Sequence, residues 1–589
     1  MGSAVALEPL HEHKLPSAGL REIWSILTPA ERRKSLLMLI LMVVMALAET
    51  AGVLSILPFL TVLGRPEVVN ENPVLSQAYQ WSGANDVHAF MFKLGFASIA
   101  LVVLSTAFKT VSLHVLNRFV HFLRYSISSR LLARYMQQPY AFFLDRNPSI
   151  LGKNILSEVD QLVSGTIQPL SQLVAQGSVA LAMAVLIFVY DPLTALGIVL
   201  VLAVLYGGIY ILVRKVLART GREGQAANSE RYKACNEALA GIKDVKITHS
   251  ISAYVARFGV ASREFSRHMA NSDTLAQSPL YLVEATGYSL LILIALLLLA
   301  QSSDIAQVLP ALGLYGFAAY RMLPSAQIMY RSFAKLRFGG ATLDTIQRDL
   351  ALPVELASPA SAPLEPKREI RLQGIHYAYP GRPDMPVLAD FSLCISTNSC
   401  VGIAGPSGAG KSTVMDILLG LLTPQQGSLS VDGTVIDASN REAWQRAIGY
   451  VPQNIYLADT SVAENIAFGV EKAAIDMPAV ERAARAAQIH DFVTRELPQG
   501  YDTTVGDRGT RLSGGQRQRI GIARALYREP RVLLMDEATS SLDTQTEQAF
   551  NDTLRALSGS RTIVVIAHRE ASLRACNRLI TLAPQKRPG

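Results

Sequence analysis

The fold class of the C-terminal part follows from the stretch "CVGIAGPSGAGKST" (400–413), a short apolar strand followed by a glycine-rich turn. The turn fits the P-loop pattern G-x-x-x-x-G-K-[ST], in which backbone N–H groups wrap phosphates at the N-terminus of a helix. Lys411 is expected to reach the outer phosphates of a nucleotide, and the Ser412 hydroxyl to bind Mg²⁺. The phosphate-binding residues predicted here are Gly405, Ser407, Gly408, Gly410, Lys411, Ser412 and Thr413.

A second apolar strand, "VLLMDE" (532–537), ends in two carboxylates. Phosphoryl transfer needs metal and lysine to neutralise phosphate oxygens, and a further group to orient the nucleophile in line. Asp536 is therefore expected to hold Mg²⁺ and Glu537 to polarise the attacking water. The alternative is that these paired acids are simply solvated at the strand end, but the P-loop in the same domain makes this interpretation weak. Short strands alternating with helical patterns predict an α/β domain with a largely parallel sheet.

Long apolar runs dominate the sequence before residue 335. Four of them are of membrane-spanning length, alone or with their flanks, and lie at 36–60, 178–190, 194–213 and 287–300. Two weaker spans are 90–108 and a segment from about Ile305. The sequence thus predicts an all-α transmembrane domain of six helices, followed by the α/β domain. No cleavable signal peptide is expected, because the first thirty residues are polar.

The net charge of +8 follows the predicted membrane topology. Basic residues lie before the first span, between the second and third, and between the fourth and fifth, whereas the alternate loops are nearly bare. This positive-inside pattern places both termini in the cytoplasm and argues against a nucleic-acid partner. The four cysteines then all lie on the cytoplasmic side, where reduced thiols are expected, and their spacing matches no metal site.

Changes in composition divide the chain into segments. We expect a cytoplasmic N-terminus with an interfacial elbow helix (1–34), a transmembrane domain (35–350), a proline-rich linker (351–367) and the α/β domain (368–589). The loop after the first span contains "NPVLSQAYQWSG" (72–83), in which Asn72 could cap a short external helix. A structured loop without a helix is the alternative.

The motif "LSGGQ" (512–516) lies between the two phosphate motifs. With it, the C-terminal domain resembles the nucleotide-binding domain of ABC transporters, and the whole chain resembles an exporter-type half-transporter with the type IV fold. The resemblance implies that Ser513, Gly514 and Gly515, with Gln516 completing the motif, contact ATP held by the opposite subunit. It also implies an adenine-stacking aromatic, a Q-loop residue that serves catalysis and Mg²⁺, a D-loop acid and a catalytic switch histidine, which are Tyr379, Gln453, Asp543 and His568.

Every catalytic position of the family pattern is filled, which suits a symmetric homodimer with two working ATP sites. A heterodimer of two intact halves stays open. The implied mechanism is closure of two nucleotide-binding domains on ATP and Mg²⁺, followed by hydrolysis and reopening. Segments 137–153 and 237–247 resemble the regions that couple this motion to the membrane helices, and "VGDRG" (505–509) resembles a further coupling loop.

Three basic residues lie within or just below the predicted membrane core: Lys109 in the second span, and Arg321 and Arg331 in and after the sixth. Three interpretations are open. The side chains can snorkel to the headgroups, they can pair with the intramembrane carboxylates Glu49 or Glu284, or they can bind an anionic headgroup such as a diphosphate.

Short motifs in the fifth and sixth spans, "SPLYLVEATG" and "AAYRMLPS", resemble those of PglK-type flippases of bacterial protein N-glycosylation. This branch moves lipid-linked oligosaccharides. The resemblance implies a protein of the bacterial inner membrane, in contact with membrane lipids, that moves an anionic polyprenyl-diphosphate oligosaccharide. Lys109, Arg321 and Arg331 would then receive the substrate. The alternatives are a drug, peptide or lipid A exporter, and an ATP-gated channel or non-transporting sensor.

Overall fold

The structure is a computed structural model of the 589-residue chain. It describes residues 16–146, 148–301, 305–338, 340–354, 362–537, 557–567 and 576–583, together with 548, 554, 555 and 573. The chain forms two compact units. The first comprises Met1–Met136 and Ser149–Leu352, and the second comprises Gln137–Pro148 and Pro353–Gly589. A short stretch from the middle of the helical region therefore belongs to the second unit.

The first part of the chain is helical. Its helices are α1 (Pro16–Ile26), α2 (Pro29–Leu54), α3 (Ile56–Gly64), α4 (Val68–Glu71), α5 (Pro73–Ser82), α6 (Val87–Met136), α7 (Tyr140–Leu144), α8 (Pro148–Lys153), α9 (Val159–Leu162), α10 (Gln168–Tyr190), α11 (Pro192–Ala240), α12 (Ile242–Ile247), α13 (Ile251–Gln301), α14 (Ile305–Phe338) and α15 (Gly340–Leu350). Within the described residues, three helical stretches are long and apolar enough to cross a membrane: Pro29–Gly64, Val87–Met136 and Ile150–Tyr190. The long helices α11, α13 and α14 follow them, and the expected helical transmembrane domain is confirmed.

Local sequence signals specify where several helices begin. Thr28 caps α2: its hydroxyl accepts a hydrogen bond from the Glu31 N–H, and its own N–H donates to the Glu31 carboxylate at 2.7 Å. Asn72 caps α5 by accepting from the N–H groups of Val74 and Leu75 at 2.9 and 3.3 Å. The loop after the first span therefore contains the short helix, and the alternative of a structured loop without a helix is wrong.

Two π-helical turns interrupt the helical stretch before α10, at Asn154–Glu158 and Val163–Ile167. The sequence did not predict them. The Ser128 hydroxyl on α6 donates to the carbonyl of Ile155 in the first turn at 2.9 Å, so one displaced backbone acceptor is satisfied by a neighbouring helix. Contact with α6 thus helps to stabilise the irregular backbone of this stretch.

The second unit is an α/β structure with two sheets. Its strands are β1 (Glu369–Tyr377), β2 (Leu388–Ser396), β3 (Cys400–Ala404), β4 (Gln426–Val431), β5 (Thr434–Val435), β6 (Ile448–Val451), β7 (Val532–Asp536), β8 (Thr562–Ile566) and β9 (Arg578–Thr581). The antiparallel sheet has the order β2-β1-β4-β5, and the core sheet β6-β7-β8-β3-β9 is parallel throughout. The expected parallel core is confirmed, and its strands β3, β7 and β8 are almost entirely buried, as parallel sheets require.

Helices cover the sheets of the second unit. They are α16 (Lys411–Leu418), α17 (Arg441–Arg446), α18 (Val462–Ile466), α19 (Met477–Ala486), α20 (His490–Arg495) and α21 (Gly514–Leu526). Trp444 on α17 is fully buried and donates its indole N–H to the Leu418 carbonyl at the end of α16. Ala141 on α7 packs against the same core, so this short helix from segment 137–153 is part of the second unit.

Candidate functional site

The glycine-rich turn adopts a backbone that only its glycines allow. Gly405, Gly408 and Gly410 have φ angles of 153°, 81° and 89°, in the region that L side chains rarely adopt. A Cβ on Gly405 would lie 2.7 Å from the carbonyl oxygen of Leu582, a backbone atom that cannot give way. The turn links the buried strand β3 to the first residue of α16, and so sets its amides at the positive end of a helix.

Lys411 begins α16 and is buried. Its ammonium group donates to the carbonyl oxygens of Gly405 at 2.8 Å and Pro406 at 3.0 Å, within the turn itself. Within the part of the chain that the structure describes, this buried cation is held by neutral acceptors of its own turn, which fits an anionic phosphate because the charge gains most from an opposite charge in a low-dielectric site. Ser407 and Ser412 are exposed beside it, so their hydroxyls remain accessible.

Asp536 lies at the carboxyl end of β7 and is buried. Asp416 on α16 lies close enough to interact with it: burial, and secondly the charge of Asp536, raise the pKa of Asp416 to about 6. A buried carboxylate with a second, half-buried carboxylate near it fits a divalent cation, since a metal ion relieves both their repulsion and the desolvation. The donor set at this sheet edge therefore fits Mg²⁺. Sequence reasoning missed Asp416, which stands in an ordinary amphipathic helix.

Glu537 follows directly after β7 in a strained conformation, with φ at +49°. Its N–H donates to the Ile566 carbonyl at 2.8 Å, and its carbonyl accepts from the amide of the buried Gln518 at 3.3 Å. Its carboxylate accepts from the Gln453 amide at 2.8 Å. The structure thus brings Gln453 and Glu537 together. Gln518 was missed, although it lies only two residues beyond the signature motif.

Tyr379 lies beside the P-loop helix. Its hydroxyl shares a hydrogen bond with Thr413 at 2.9 Å, and its ring meets that of Tyr377 edge-on with centroids 5.2 Å apart. The ring is therefore fixed in orientation next to the phosphate-binding turn. That arrangement suits the stacking of a flat base, as the resemblance implies for this residue.

The signature motif forms the start of α21. The Ser513 hydroxyl accepts from the Gln516 N–H at 3.2 Å, and the Ser513 N–H donates to the Gln516 side chain at 2.8 Å. This capping box leaves Gly514 and Gly515 in the first turn of a helix of 13 residues, where free backbone N–H groups favour an anion. The predicted D-loop and switch residues, Asp543 and His568, lie outside the described residues.

Two of the three basic residues singled out from the sequence, Lys109 and Arg321, contact the same carboxylate in the first unit. Lys109 places its ammonium group 2.6 Å from Oε1 of Glu49, and the Arg321 guanidinium donates to the same oxygen. The Glu49 side chain is 0% exposed, whereas those of Lys109 and Arg321 are 29% and 25% exposed. Among the described residues, Oε2 of Glu49 and Nε of Arg321 have no hydrogen-bond partner. We call these three residues the Glu49 cluster.

The other residues singled out in this region lie apart from the cluster's contacts. Arg331 is exposed on α14. Glu284, the alternative partner for Arg321, accepts instead from the Tyr288 hydroxyl at 3.1 Å. The Ser325 hydroxyl donates to the side chain of Gln176 at 2.8 Å, which adds a polar contact between α14 and α10 one turn from Arg321.

Two family descriptions match the chain. Residues 34–309 match the ABC transporter transmembrane region, and residues 388–540 match the ABC transporter family itself. Together they cover most of the helical part and the segment of the second unit from β2 to β7, which includes the glycine-rich turn and the signature motif.

The curated proteins to which this chain is similar include transporters with different names. The chain is 30% identical to an ATP-dependent lipid A-core flippase of Saccharophagus degradans over 497 residues, 83% of this chain and 82% of that protein. It is 30% identical over 77% of its length to mouse ATP-binding cassette sub-family B member 10, mitochondrial, and spans 64% of that protein. It is 32% identical over 71% of its length to the multidrug resistance protein pgp-1 of Caenorhabditis elegans, of which it spans 31%.

Among solved structures, a bacterial Atm1-family ABC exporter with ATP bound has the same fold. The TM-score is 0.74 over 95% of both chains, with 24% sequence identity. This similarity identifies the type IV exporter architecture.

Proposed function

Because the chain belongs to the ABC transporter family and is an ATPase coupled to transport, we propose that it moves a lipid with an anionic headgroup from the cytoplasmic to the outer leaflet. The finer proposal is that the lipid is a polyprenyl-diphosphate oligosaccharide. Names of relatives support a lipid substrate in general, since one of them is a lipid A-core flippase. The choice of a diphosphate rests on the residues of this chain.

The charge balance of the Glu49 cluster carries the proposal. Two cations share one carboxylate, so the Glu49 cluster as a whole has a formal charge of +1. The carboxylate is sealed, while both cations keep part of their surface exposed in the single chain. A neutral salt bridge would have no need of the second cation. A net positive group with accessible donors, in a place where charge is costly, suits an anion such as a phosphate or diphosphate.

A structural role for the same residues is the competing interpretation. Glu49 would then be the costly group, and Lys109 and Arg321 would both serve to neutralise it. The two interpretations differ in the effect that they predict for an anionic lipid on the contacts of the Glu49 cluster. A purely structural cluster is indifferent to it, whereas a receiving cluster gives up part of the contact with Glu49 and gains contact with phosphate oxygens.

In the ATP site, we propose roles that follow the geometry of the second unit. Lys411 and the amides of the glycine-rich turn bind the phosphates, and Asp536 with the Ser412 hydroxyl would hold Mg²⁺, which supplies charge neutralisation when bound. Glu537, held by Gln453, orients the attacking water. The signature motif around Ser513 would complete the site of a second copy, so we propose a homodimer in a bacterial inner membrane, with both termini cytoplasmic.

The experiment is a translocation assay in proteoliposomes. Purified protein is reconstituted with a fluorescent polyprenyl-diphosphate oligosaccharide, and the glycan that crosses the bilayer is followed with ATP and without it. Glu537→Gln serves as the inactive control, since it should retain ATP but not hydrolyse it. Movement that requires both ATP and Glu537 supports the proposal. Hydrolysis without movement of this lipid, but with movement of lipid A or a hydrophobic drug, would replace the diphosphate substrate with that one.

A further inference from the structure

Two thiols in the second unit lie in direct contact, and neither belongs to the ATP-site residues described above. The sulfur of Cys400 donates its hydrogen to the sulfur of Cys576, with 2.8 Å between the two sulfur atoms. Cys400 is the first residue of β3 and is fully buried, whereas Cys576 is partly exposed and lies just before β9. Both are free thiols.

The parallel pairing of β3 and β9 fixes the backbones around this pair. Val401 pairs with Arg578, and the N–H of Asn577 donates to the Cys400 carbonyl at 2.9 Å. The N–H of Cys576 donates to the Leu573 carbonyl at 3.0 Å. The two cysteines thus meet because of the register of the core sheet, and not through flexible side chains alone.

Gly402 lies next to the pair and allows close packing of the residues around Cys576. It lies two residues after Cys400, so it points to the same face of β3. A Cβ on Gly402 would lie 2.8 Å from a methyl group of Leu573, 3.2 Å from one of Leu579 and 3.6 Å from the Cβ of Cys576. The missing side chain lets Leu573 and Leu579, which flank Cys576 in the chain, pack closely against the strand that leads into the P-loop.

The contact makes the two sulfurs chemically different. The hydrogen bond from Cys400 lowers the pKa of the Cys576 thiol, while the same bond, together with burial, raises the pKa of Cys400. The thiolate form therefore concentrates on the partly exposed sulfur. A thiolate on a partly exposed cysteine with a second thiol beside it is an arrangement found in redox-sensing cysteines.

We propose that Cys400 and Cys576 form a reversible disulfide in the presence of a hydroperoxide, which links the P-loop strand β3 to the edge strand β9. The Cys576 thiolate attacks the terminal oxygen of the hydroperoxide, the O–O bond breaks, and Cys576 becomes a sulfenic acid while the peroxide is reduced to water or an alcohol. The Cys400 sulfur then attacks the Cys576 sulfur. The S–O bond breaks, and the hydroxide leaves as water with the Cys400 proton.

The electrons of this reaction balance, and the distance between the sulfurs is compatible with a disulfide. Two thiols lose two electrons in total, which reduce one hydroperoxide, and a dithiol reductant reverses the step. A disulfide has a sulfur separation of about 2.0 Å, so the sulfurs, now 2.8 Å apart, must approach by only about 0.8 Å. Such a bond in a cytoplasmic domain is expected to be transient, as a sensor rather than a permanent staple.

The test uses the full-length protein, purified in detergent under reducing conditions and then treated with a slight excess of hydrogen peroxide. Intact mass and peptide mapping detect the loss of two hydrogens and a peptide that joins Cys400 to Cys576. We expect this cross-link to form first, to disappear with dithiothreitol, and to raise the thermal unfolding midpoint by about 5–10 °C, because a long loop is closed.

Matched variants separate the pair from general thiol oxidation. Cys235→Ser and Cys394→Ser should keep the cross-link and the shift in midpoint, whereas Cys576→Ser should lose both. Cys576 is partly exposed, so its serine variant should fold; labelling of Cys400 with a maleimide after unfolding then confirms that this thiol stayed reduced. Oxidation of Cys576 to a sulfenic or sulfinic acid without a cross-link overturns the proposal. So does a cross-link that forms no faster than oxidation of Cys235 or Cys394.

Discussion

Removing both cations that contact Glu49 should destabilise the helical unit by more than the sum of the two single removals. In Lys109→Met or Arg321→Met, the carboxylate keeps one cation in contact, because both bind the same oxygen. In the double variant it would have neither. Glu49 is 0% exposed, so the carboxylate would be left buried and unpaired.

The magnitudes follow from that burial. A single removal takes away a partly exposed cation whose partner stays paired, and should cost about 1 kcal/mol. A buried charge that loses its pairing altogether costs about 3–5 kcal/mol. The double variant should therefore exceed the sum of the singles by about 1–3 kcal/mol, a coupling of the size that contacting residues show. Adding Glu49→Gln to the double variant should recover most of the loss, because no buried charge then remains.

The assay is the midpoint of heat-induced loss of monodisperse protein in one detergent, for the wild type, both singles, the double and the triple. Arg331→Met is the matched control: it removes an exposed cation from the same helix, and it should change stability by no more than about 0.5 kcal/mol. Strictly additive single effects would refute the shared-carboxylate reasoning. A triple variant no more stable than the double would refute it equally.

Three smaller predictions concern local contacts. Tyr379→Phe keeps the ring but loses the hydrogen bond to Thr413, so ATP affinity should fall by at most about tenfold. Tyr379→Ala also removes the ring and should reduce the affinity further, and both variants are measured with a fluorescent ATP analogue. Gly405→Ala should abolish ATP binding, because its Cβ would meet the Leu582 carbonyl at 2.7 Å; retained binding would contradict the described turn. Asn72→Ala should weaken the start of α5 by about 1 kcal/mol, seen as faster amide exchange confined to that helix.

The sequence predicted best those features that depend on residues adjacent in the chain. The glycine-rich turn, the helix cap at Asn72 and the two acids at the carboxyl end of β7 are short patterns whose geometry follows from backbone chemistry, and the structure forms each of them locally. The parallel core sheet followed from buried strands alternating with helices. Each of these depends on a few consecutive residues.

Contacts between distant residues were not predictable in the same way. Periodicity identified Arg321 as unusual, but it could not choose between Glu49 and Glu284, because the choice depends on how α14 packs against α2. Asp416 looks like any polar residue of a helix until β7 places Asp536 beside it. The two π-helical turns before α10 likewise depend on contacts with α6 rather than on composition.

The most direct test of the central claim compares two lipids that differ only in headgroup charge. Initial rates of ATP-dependent movement in proteoliposomes are measured for the polyprenyl-diphosphate glycan and for an analogue in which an uncharged linker replaces the diphosphate. Charge-assisted hydrogen bonds from Lys109 and Arg321 should favour the diphosphate by about tenfold or more at limiting lipid, a preference that Arg321→Met reduces. Equal rates for the two lipids in the wild type would contradict the claim that the Glu49 cluster receives an anion.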